Sequence, residues 1–274
     1  MSYSQSTQAR EWLFSSEELF NKKRKIYDEA VFKYGASLSF EEYLKYIQFY
    51  ADELIRMGNM MRNWNRFHKF TALMFYQRIY INKSIWDVPP EFASINCIFL
   101  VSKFVMPSNL AEVIQEICPR EKINSMSDLI EKVSKNEIVV LDAIKFHLKI
   151  HLPFNLISAI SNQQLEMKVL EDAVEKCKDL LMNEALLLYP PGQIAAASLV
   201  HVIGIEKVME LLPTPPEDIS SIIESILNLE SIHYTQEEIS AIEMMVDETS
   251  QIVAQIAKAS DSNDYNPPKA IVPP

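Results

Sequence analysis

Two histidines, His147 and His151, stand four residues apart, the spacing at which one helix face can offer two imidazole ligands to a metal ion. The segment that carries them, FHLKIHLP, runs directly into Pro153, and proline interrupts a regular helix. The sequence places neither a third ligand nor an HExxH-type glutamate beside them. We therefore interpret both histidines as ordinary semi-buried side chains and expect no metal.

The sequence also lacks the residue patterns of nucleotide-binding, nucleophilic and cysteine-based sites. The chain has four glycines, and no two lie within ten residues of one another, which excludes a phosphate-binding glycine loop. No serine or cysteine nucleophile has a base beside it in the sequence. The three cysteines lie far apart without a CxxC, which argues against a disulfide framework or a structural zinc. These observations predict a protein without catalytic activity and without a cofactor.

Charge is distributed unevenly along the chain. Residues 151–274 hold 6 Lys/Arg and 19 Asp/Glu, a net charge of −13, whereas the first 150 residues hold 20 and 18, a net charge of +2. A negative field over the second half disfavours phosphate backbones and suits a basic partner surface, although solvated helix faces would give the same composition. The aromatic and basic stretch RNWNRFHKF, residues 62–70, is one patch on an acidic protein, and we interpret it as a helix junction.

The amino terminus, the apolar runs and the cysteines indicate the cellular compartment. The amino terminus, MSYSQSTQAREW, lacks the apolar core of a signal peptide, and no apolar run approaches the roughly 18 residues of a membrane span. Scattered single cysteines suit a reducing compartment. We expect a soluble intracellular protein.

Helices are the elements that must position any functional side chain. Apolar residues recur at three- and four-residue spacing through residues 40–55, which is a helical period. Proline pairs punctuate the chain at 89–90, 190–191 and 215–216. Three helix starts match a capping box, in which a hydroxyl and a carboxylate satisfy free backbone amides: Ser15 with Glu18, Ser39 with Glu42, and Thr235 with Glu238. With the shortage of glycine, these patterns predict an all-α fold.

Two of the proline pairs open similar stretches, PPEFASINCIFLV from residue 89 and PPGQIAAASLVHV from residue 190. Each continues as a helix of small and aliphatic residues, and a helix that is apolar on all sides belongs at the centre of a bundle. We predict two helical bundles, each built around one buried helix. The predicted division is an N-terminal helix segment at 1–39, a first bundle at 40–152, a second bundle at 153–234, a C-terminal helix at 235–258 and a disordered tail at 259–274.

Two charges stand out against these apolar stretches. Lys103 lies near the end of the first central helix, on one face with Leu100 and Phe104. Glu137 stands at the head of the apolar stretch EIVVLDAIKFHL, and we expect it in the first turn of a helix. The helix dipole favours a lysine near a helix end and a glutamate near a helix start, so the pattern alone also fits solvated helix ends.

The surrounding motifs resemble those of a known family. FLVSKF, with Glu137 following 33 residues after its last residue and KFHL beyond, resembles the cyclin box. TALMFYQRIYINKSI (71–85) resembles the second helix of that family, and LLLYPPGQIAAASLV (186–200) resembles the matching helix of a second box. The resemblance implies tandem five-helix cyclin boxes, at 40–152 and 153–234, with flanking N- and C-terminal helices. It also implies partner-binding residues that contact a cyclin-dependent kinase: Leu100, Lys103, Phe104, Glu137, Leu141 and Phe146.

Within the cyclins the resemblance is to the H type. REWLFSSEELFNKKR (10–24) resembles the amino-terminal helix of that type, and FHLKIHLPF resembles the link between its boxes. This implies a non-catalytic, nuclear regulatory subunit that activates a kinase of the CDK-activating kinase and TFIIH type and supports phosphorylation of the RNA polymerase II carboxy-terminal repeats. The implied partners are that kinase in a heterodimer, the assembly subunit of the CDK-activating kinase, and TFIIH, without direct contact to nucleic acid or membrane. We expect the leading helix, with Trp12, Leu13, Phe14 and Leu19, to pack across both boxes and to shape the kinase-binding surface.

Three alternatives stay open at this point. A cyclin of the C type shares both boxes, and YPPG resembles it, whereas WLFSSEEL does not. A TFIIB-like cyclin-fold protein that binds nucleic acid should carry a basic second repeat, which the charge of −13 opposes. A helical scaffold without a kinase partner would leave Lys103 and Glu137 as simple helix-end charges.

Overall fold

The computed structural model describes residues 3–105, 109–117, 126–212 and 218–262. All regular secondary structure in these ranges is helical, which confirms the predicted all-α class. After a short 3-10 turn at Tyr3–Gln5, the helices are α1 Thr7–Glu11, α2 Ser16–Tyr34, α3 Phe40–Met60, α4 Arg66–Ile79, α5 Pro90–Val105, α6 Leu110–Ile117, α7 Met126–Ala143, α8 Phe154–Ser161, α9 Met167–Met182, α10 Ala185–Leu188, α11 Pro191–Ile203, α12 Ile205–Leu211, α13 Ile219–Leu227 and α14 Gln236–Ser262.

The last helix is longer than the sequence predicts. We expected a disordered tail from residue 259, whereas α14 continues to Ser262. Residues 263–274 of the predicted tail lie outside the described residues. No helix of the described ranges has both the length and the apolar character needed to cross a lipid bilayer.

The helix starts are those that the capping boxes predict. Before α2, the Ser15 hydroxyl accepts a bond from the Glu18 amide at 3.2 Å, and the Glu18 carboxylate accepts one from the Ser15 amide at 2.8 Å. The same reciprocal pairs precede α3 and α14. These bonds satisfy amides that have no partner inside the helix, and they fix where α2, α3 and α14 begin.

Helices α3 to α7 form the first bundle, with α5 at its centre. α5 packs against α3, α4, α6 and α7, and its apolar side chains from Ala93 to Val101 are buried as the sequence predicts. Asn96 is fully buried in α5, and its side-chain amide donates to the Val133 carbonyl of α7 at 3.0 Å. A buried amide must find such a partner, so this bond fixes how α5 sits against α7.

Helices α8 to α13 form the second bundle around α11. α11 packs against α8, α9, α12 and α13, and the single turn α10 leads into it. Residues Ile194 to Ala197 and Leu199 are almost completely buried. The second Pro-Pro stretch is therefore also a central helix, as predicted.

The leading segment contacts both bundles, as expected. The Tyr27 hydroxyl of α2 donates to the Leu38 carbonyl at 2.7 Å, just before the first bundle. The Phe14 amide donates to the Leu187 carbonyl of the second bundle at 2.8 Å, and Lys23 forms an ion pair with Glu184. α14 returns to the first bundle, where Lys45 pairs with Glu238 at 2.9 Å.

Candidate partner-binding surface

Lys103 and Glu137 come together at the surface of the first bundle. Lys103 lies in the last turn of α5, and Glu137 lies on α7 beside it. The prediction that Glu137 occupies a first helical turn is wrong, because α7 begins at Met126. The preceding residues are helical because Met126, Leu129, Ile130 and Val133 pack against the core at helical spacing.

The two side chains form an ion pair with each other. Their side chains are 39% and 28% exposed, and the Lys103 ammonium also lies 4.2 Å from the centre of the Phe99 ring. An ion pair this close to water adds little to the stability of the fold. Both charges therefore remain available to a partner that covers them.

Exposed apolar side chains accompany the ion pair on the two helices and the turn that follows α7. Phe104 is 63% exposed, Phe146 is 57% exposed, and Leu141 is half-buried. Leu100 is only 4% exposed, so it supports the surface from below and offers a partner almost no area. Large apolar side chains that are exposed together beside a pair of charges are typical of a contact site for another protein.

Ile138 was missed by the sequence reasoning. It is 62% exposed and lies beside Glu137 on α7. The signal was present in the sequence, because Ser134 and Asp142, four residues before and after Ile138, form a polar side of the helical pattern on which an aliphatic residue is out of place. We name the group Lys103, Phe104, Glu137, Ile138, Leu141 and Phe146 the charged-aromatic surface.

The turn after α7 presents Phe146 in a costly backbone conformation. Lys145 and Phe146 both have φ of 55°, in the left-handed region that bulky residues avoid. The Phe146 amide donates to the Leu141 carbonyl at 2.9 Å, which returns the chain toward α7. Such strain costs on the order of 1–3 kcal/mol per residue and concentrates at functional positions.

The amino-terminal segment braces this turn from behind. The Trp12 indole N–H donates to Nδ1 of His147 at 2.9 Å, and Trp12 is only 1% exposed. The Arg78 guanidinium donates to the His147 carbonyl at 3.0 Å and lies 4.6 Å from the Trp12 ring centre. Trp12 thus helps to hold the residue next to Phe146, as expected for a leading segment that shapes the surface.

Both histidines have structural partners. The Gln8 side chain donates to the His151 carbonyl at 3.2 Å and accepts from the His151 amide at 2.7 Å. The segment between α7 and α8 is not helical, so His147 and His151 do not share a helix face. The described residues contain no group of three potential ligands that could hold a metal ion. The interpretation as semi-buried side chains is confirmed.

Arg78 is an unusual feature behind the surface. It is completely buried, and burial lowers the pKa of its guanidinium to about 9, so that it stays cationic at neutral pH. Its contacts are the His147 carbonyl and the Trp12 ring, which stabilise a cation without a neutralising acid. The segment between α7 and α8 is thus held against α4 by the hydrogen bond from the buried Arg78 guanidinium to the His147 carbonyl.

Comparisons with known proteins give sequence relatives and structural neighbours. No model of a known protein family matches the sequence. Cyclin-H1-1 of Arabidopsis thaliana is 26% identical over 182 residues, covering 60% of this chain and 52% of that protein, so this chain spans about half the length of that relative. Cyclin-H of Xenopus laevis is 24% identical over 221 residues, covering 72% of this chain and 67% of that protein.

Two solved complexes contain a chain of similar fold. One is the CAK complex of Chaetomium thermophilum bound to ATP-γ-S, where the TM-score is 0.71 at 19% identity and 98% of both chains is covered. The other is the yeast TFIIK complex, where the TM-score is 0.64 at 20% identity, with 84% of this chain and 100% of the other covered. At these identities the likeness shows a shared fold.

Proposed function

We propose, from the premise that this chain is a cyclin of the H type, that it is the regulatory, non-catalytic subunit of a cyclin-dependent kinase of the CDK-activating and TFIIH class. The observation that carries the proposal is the charged-aromatic surface. It joins an accessible Lys103–Glu137 ion pair to exposed Phe104, Ile138 and Phe146. At such an interface the aromatic anchors supply most of the affinity and the charges fix the register of the partner.

The mechanism we propose is a population shift in the kinase. A kinase is active when a helix of its small lobe places a glutamate against the lysine that positions ATP. A rigid surface that binds only this arrangement raises its population by the difference in affinity for the two states. The brace of Trp12 and Arg78 supplies the rigidity, because it fixes the turn that carries Phe146.

The remaining assignments follow from the same premise. We assign residues 40–152 and 153–234 to the two cyclin boxes, with α2 and α14 as flanking helices. The assembly subunit of the CDK-activating kinase and TFIIH are the further partners, and the protein acts in the nucleus. The net charge of −13 beyond residue 150 supports protein partners over direct contact with nucleic acid.

The test is co-expression with the TFIIH-type kinase of the same organism. We expect a stable heterodimer on size exclusion and a large gain in phosphorylation of an RNA polymerase II repeat peptide. Co-elution with a C-type cyclin's kinase in its place would move the assignment within the cyclins. Binding to neither kinase would contradict the proposal and favour a helical scaffold.

A further inference from the structure

The stretch RNWNRFHKF, residues 62–70, forms the junction between α3 and α4, as the sequence predicts, and it carries three successive cations. Arg62 and Arg66 are exposed, and Lys69 is half-buried. Within the described ranges, none of the three lies at ion-pair distance from an aspartate or glutamate, whereas most of the other lysines and arginines there do. Acidic residues outnumber lysine and arginine by 37 to 26 in the whole chain, so such a group is unusual. We call these three residues the basic junction surface.

Lys69 carries the least compensated charge of the three. Its stem lies against α3 at Gly58, where an added Cβ would come within 3.0 Å of the Lys69 Cγ. Its ammonium donates to the neutral side-chain oxygen of Asn59 at 2.6 Å. Burial, with a smaller contribution from the positive charge of Lys178, lowers the pKa of Lys69. A partly desolvated ammonium that is held by an amide gains free energy when a carboxylate reaches it, because burial has cost the charge part of its hydration.

Arg66 is held in place by aromatic rings instead of by an acid. Its guanidinium lies 5.6 Å from the centre of the Phe67 ring and 5.5 Å from that of Phe154 in α8. Contacts with the faces of rings fix the position of a guanidinium and leave its N–H donors for an acceptor. Arg66 and Lys69 stand three residues apart on α4, so they share one face of that helix.

The charges beside the basic junction surface do not cancel it. Glu116 of α6 accepts a hydrogen bond from the backbone amide of Arg62 at 2.9 Å and forms no ion pair with its guanidinium. Glu175 of α9 pairs with Lys178 at 2.6 Å, so these two charges offset each other. Burial lowers the pKa of His68, so this ring is neutral at physiological pH. The cations therefore exceed the acids that contact them.

Charge and spacing narrow the occupant to an acidic segment of a protein. Guanidinium and ammonium groups form strong hydrogen bonds with carboxylates. Alternate residues of an extended chain lie about 7 Å apart on one face. This distance is close to the roughly 5–6 Å between Cβ atoms three residues apart on a helix, such as those of Arg66 and Lys69. A nucleic acid would carry its phosphates beyond this small surface, over a chain whose net charge of −11 repels them.

We propose that the basic junction surface binds an extended acidic segment of a protein partner. One carboxylate of the segment contacts Arg66, a second carboxylate two residues away contacts Lys69, and Arg62 adds to the positive field. The basic junction surface shares no residue with the charged-aromatic surface, so the proposal does not depend on the kinase assignment.

The test is selection of linear peptides from a random phage-displayed library on the full chain, with the double variant Arg66→Glu, Lys69→Glu as the counter-selection. We expect the enriched peptides to share two acidic residues that flank one other residue. Measured by fluorescence anisotropy, their affinity should fall at least about tenfold on the double variant, which reverses both contacts. It should also fall as sodium chloride is added, because salt screens exposed charges.

Lys69→Met separates the charge from the packing. Methionine keeps an unbranched stem over Gly58 but removes the ammonium. We expect a several-fold loss of peptide affinity with no fall in the melting temperature, because an uncompensated charge is removed from a partly buried site. This variant also carries the test if the double variant fails to fold. A lower melting temperature with unchanged peptide affinity would assign Lys69 to the fold and overturn the proposal.

The matched control is the double variant Lys168→Glu, Lys207→Glu, which makes the same change in net charge at two exposed lysines of the second bundle. It should leave peptide affinity unchanged. No enrichment, a consensus without acidic residues, or peptides that bind the Arg66→Glu, Lys69→Glu chain as tightly as the wild type would each overturn the proposal.

Two further outcomes would give the surface to another occupant and overturn the proposal. One is a labelled single-stranded oligothymidine that binds more tightly than the peptides and is released by Arg66→Glu, Lys69→Glu. The other is a homodimer that the same double variant dissociates, measured by sedimentation. Absence of kinase co-elution with the wild-type chain would contradict the proposed function alone.

Discussion

The two bundles place the same kind of helix at their centres but end those helices differently. α5 and α11 each begin at the second proline of a Pro-Pro pair, and the apolar residues of both helices are largely buried. Lys103 lies thirteen residues after Pro90, the first residue of α5, and is still helical. Gly204 lies thirteen residues after Pro191, the first residue of α11; it follows the end of that helix and has φ of 81°. One helix therefore carries a charge to the surface, whereas the other stops.

The comparison teaches that a duplicated core does not duplicate a binding surface. A central helix needs apolar residues all round, and both bundles supply them. The surface depends on a few residues beyond that requirement, namely the charge at the helix end, its partner on α7 and the strained turn at Phe146. In α8 to α13 the exposed large apolar side chains lie outside the central helix, Met167 on α9 at 70% and Leu156 on α8 at 38% exposed.

The largest effect that we expect comes from reversing the charge of Lys103. Lys103→Glu sets two carboxylates side by side and presents the wrong sign to the kinase. We expect the kinase affinity to fall by about 30-fold or more, on the order of 2–5 kcal/mol, measured by surface plasmon resonance. Lys207→Glu, an exposed reversal on α12 of the second bundle, should change the affinity little.

The double variant Lys103→Glu with Glu137→Lys separates partner contact from fold support. It restores an ion pair within the chain, so stability should return to that of the wild type, but the charges that face the partner stay reversed. We expect kinase binding to remain weak. Wild-type affinity in this double variant would refute the assignment of the pair as a contact.

A second prediction concerns the polar group inside each central helix. Asn96 bonds across to α7, whereas the Ser198 hydroxyl bonds to the Ile194 carbonyl of its own helix at 2.7 Å. Asn96→Ala should lower the free energy of unfolding by about 1–3 kcal/mol, because the bond between helices is lost in a buried site. Ser198→Ala should cost less than about 1 kcal/mol, because the carbonyl keeps its helical bond. Urea titration measures both, and equal losses would contradict the difference between the bundles.

The sequence could predict what depends on local pattern. The capping boxes and the Pro-Pro starts identified α2, α3 and α14 and both central helices, α5 and α11, because these signals act within a few residues. Lys103 and Glu137 stand out from the apolar pattern around them, and their assignment as partner contacts came from the family resemblance. The start of α7 was missed, because its apolar stripe from Met126 to Val133 is diluted by polar residues.

What the sequence could not predict depends on distant segments meeting. The brace joins Trp12 to His147 and Arg78, and the Tyr3 ring lies edge-on to the ring of His151 with the centroids 5.8 Å apart. No local period encodes such contacts. The left-handed backbone at Lys145 and Phe146 was also invisible, because neither residue type favours it and surrounding contacts impose it.

The turn after α7 gives a third prediction. Phe146→Gly and Phe146→Ala remove the same ring, but only glycine adopts φ of 55° without strain. We expect the glycine variant to be more stable than the alanine variant by about 1 kcal/mol, the reverse of their order inside a helix. Both should weaken kinase binding to a similar extent, because the loss of the aromatic anchor is common to them.

The matched control lies in the second bundle at Asn162, where φ is 46°. Asn162→Gly and Asn162→Ala should differ in stability in the same direction and by a similar amount, because alanine is strained in this left-handed conformation and glycine is not. Neither should alter kinase affinity. If the Asn162 variants weakened the kinase complex as much as the Phe146 variants, the contact surface would not be confined to the first bundle.

The smallest effect should come from the attachment of α2 to the first bundle. Asp87 accepts bonds from the Tyr34 hydroxyl at 2.7 Å and from Lys33 at 3.1 Å. Burial alone would raise the pKa of Asp87, but hydrogen bonds from Ser84, Tyr34 and Lys33 outweigh it and lower the pKa to about 2. A free aspartate has a pKa of about 3.9, so ionised Asp87 stabilises the fold above pH 4, and this contribution is lost as the pH falls toward 2.

Asp87→Asn should therefore lower the free energy of unfolding by about 1 kcal/mol at pH 6. This figure is reduced because the Asp87 side chain is 32% exposed and water screens its charge. The deficit should shrink as the pH falls from 4 to 2, where the wild-type carboxyl becomes protonated and loses its advantage over the amide. As a control, Asp172→Asn at an exposed site on α9 should change the free energy of unfolding little at pH 6. A deficit of Asp87→Asn that stayed the same from pH 6 to pH 2 would contradict the assignment, because the amide differs from the wild-type side chain in charge only while the Asp87 carboxyl is ionised.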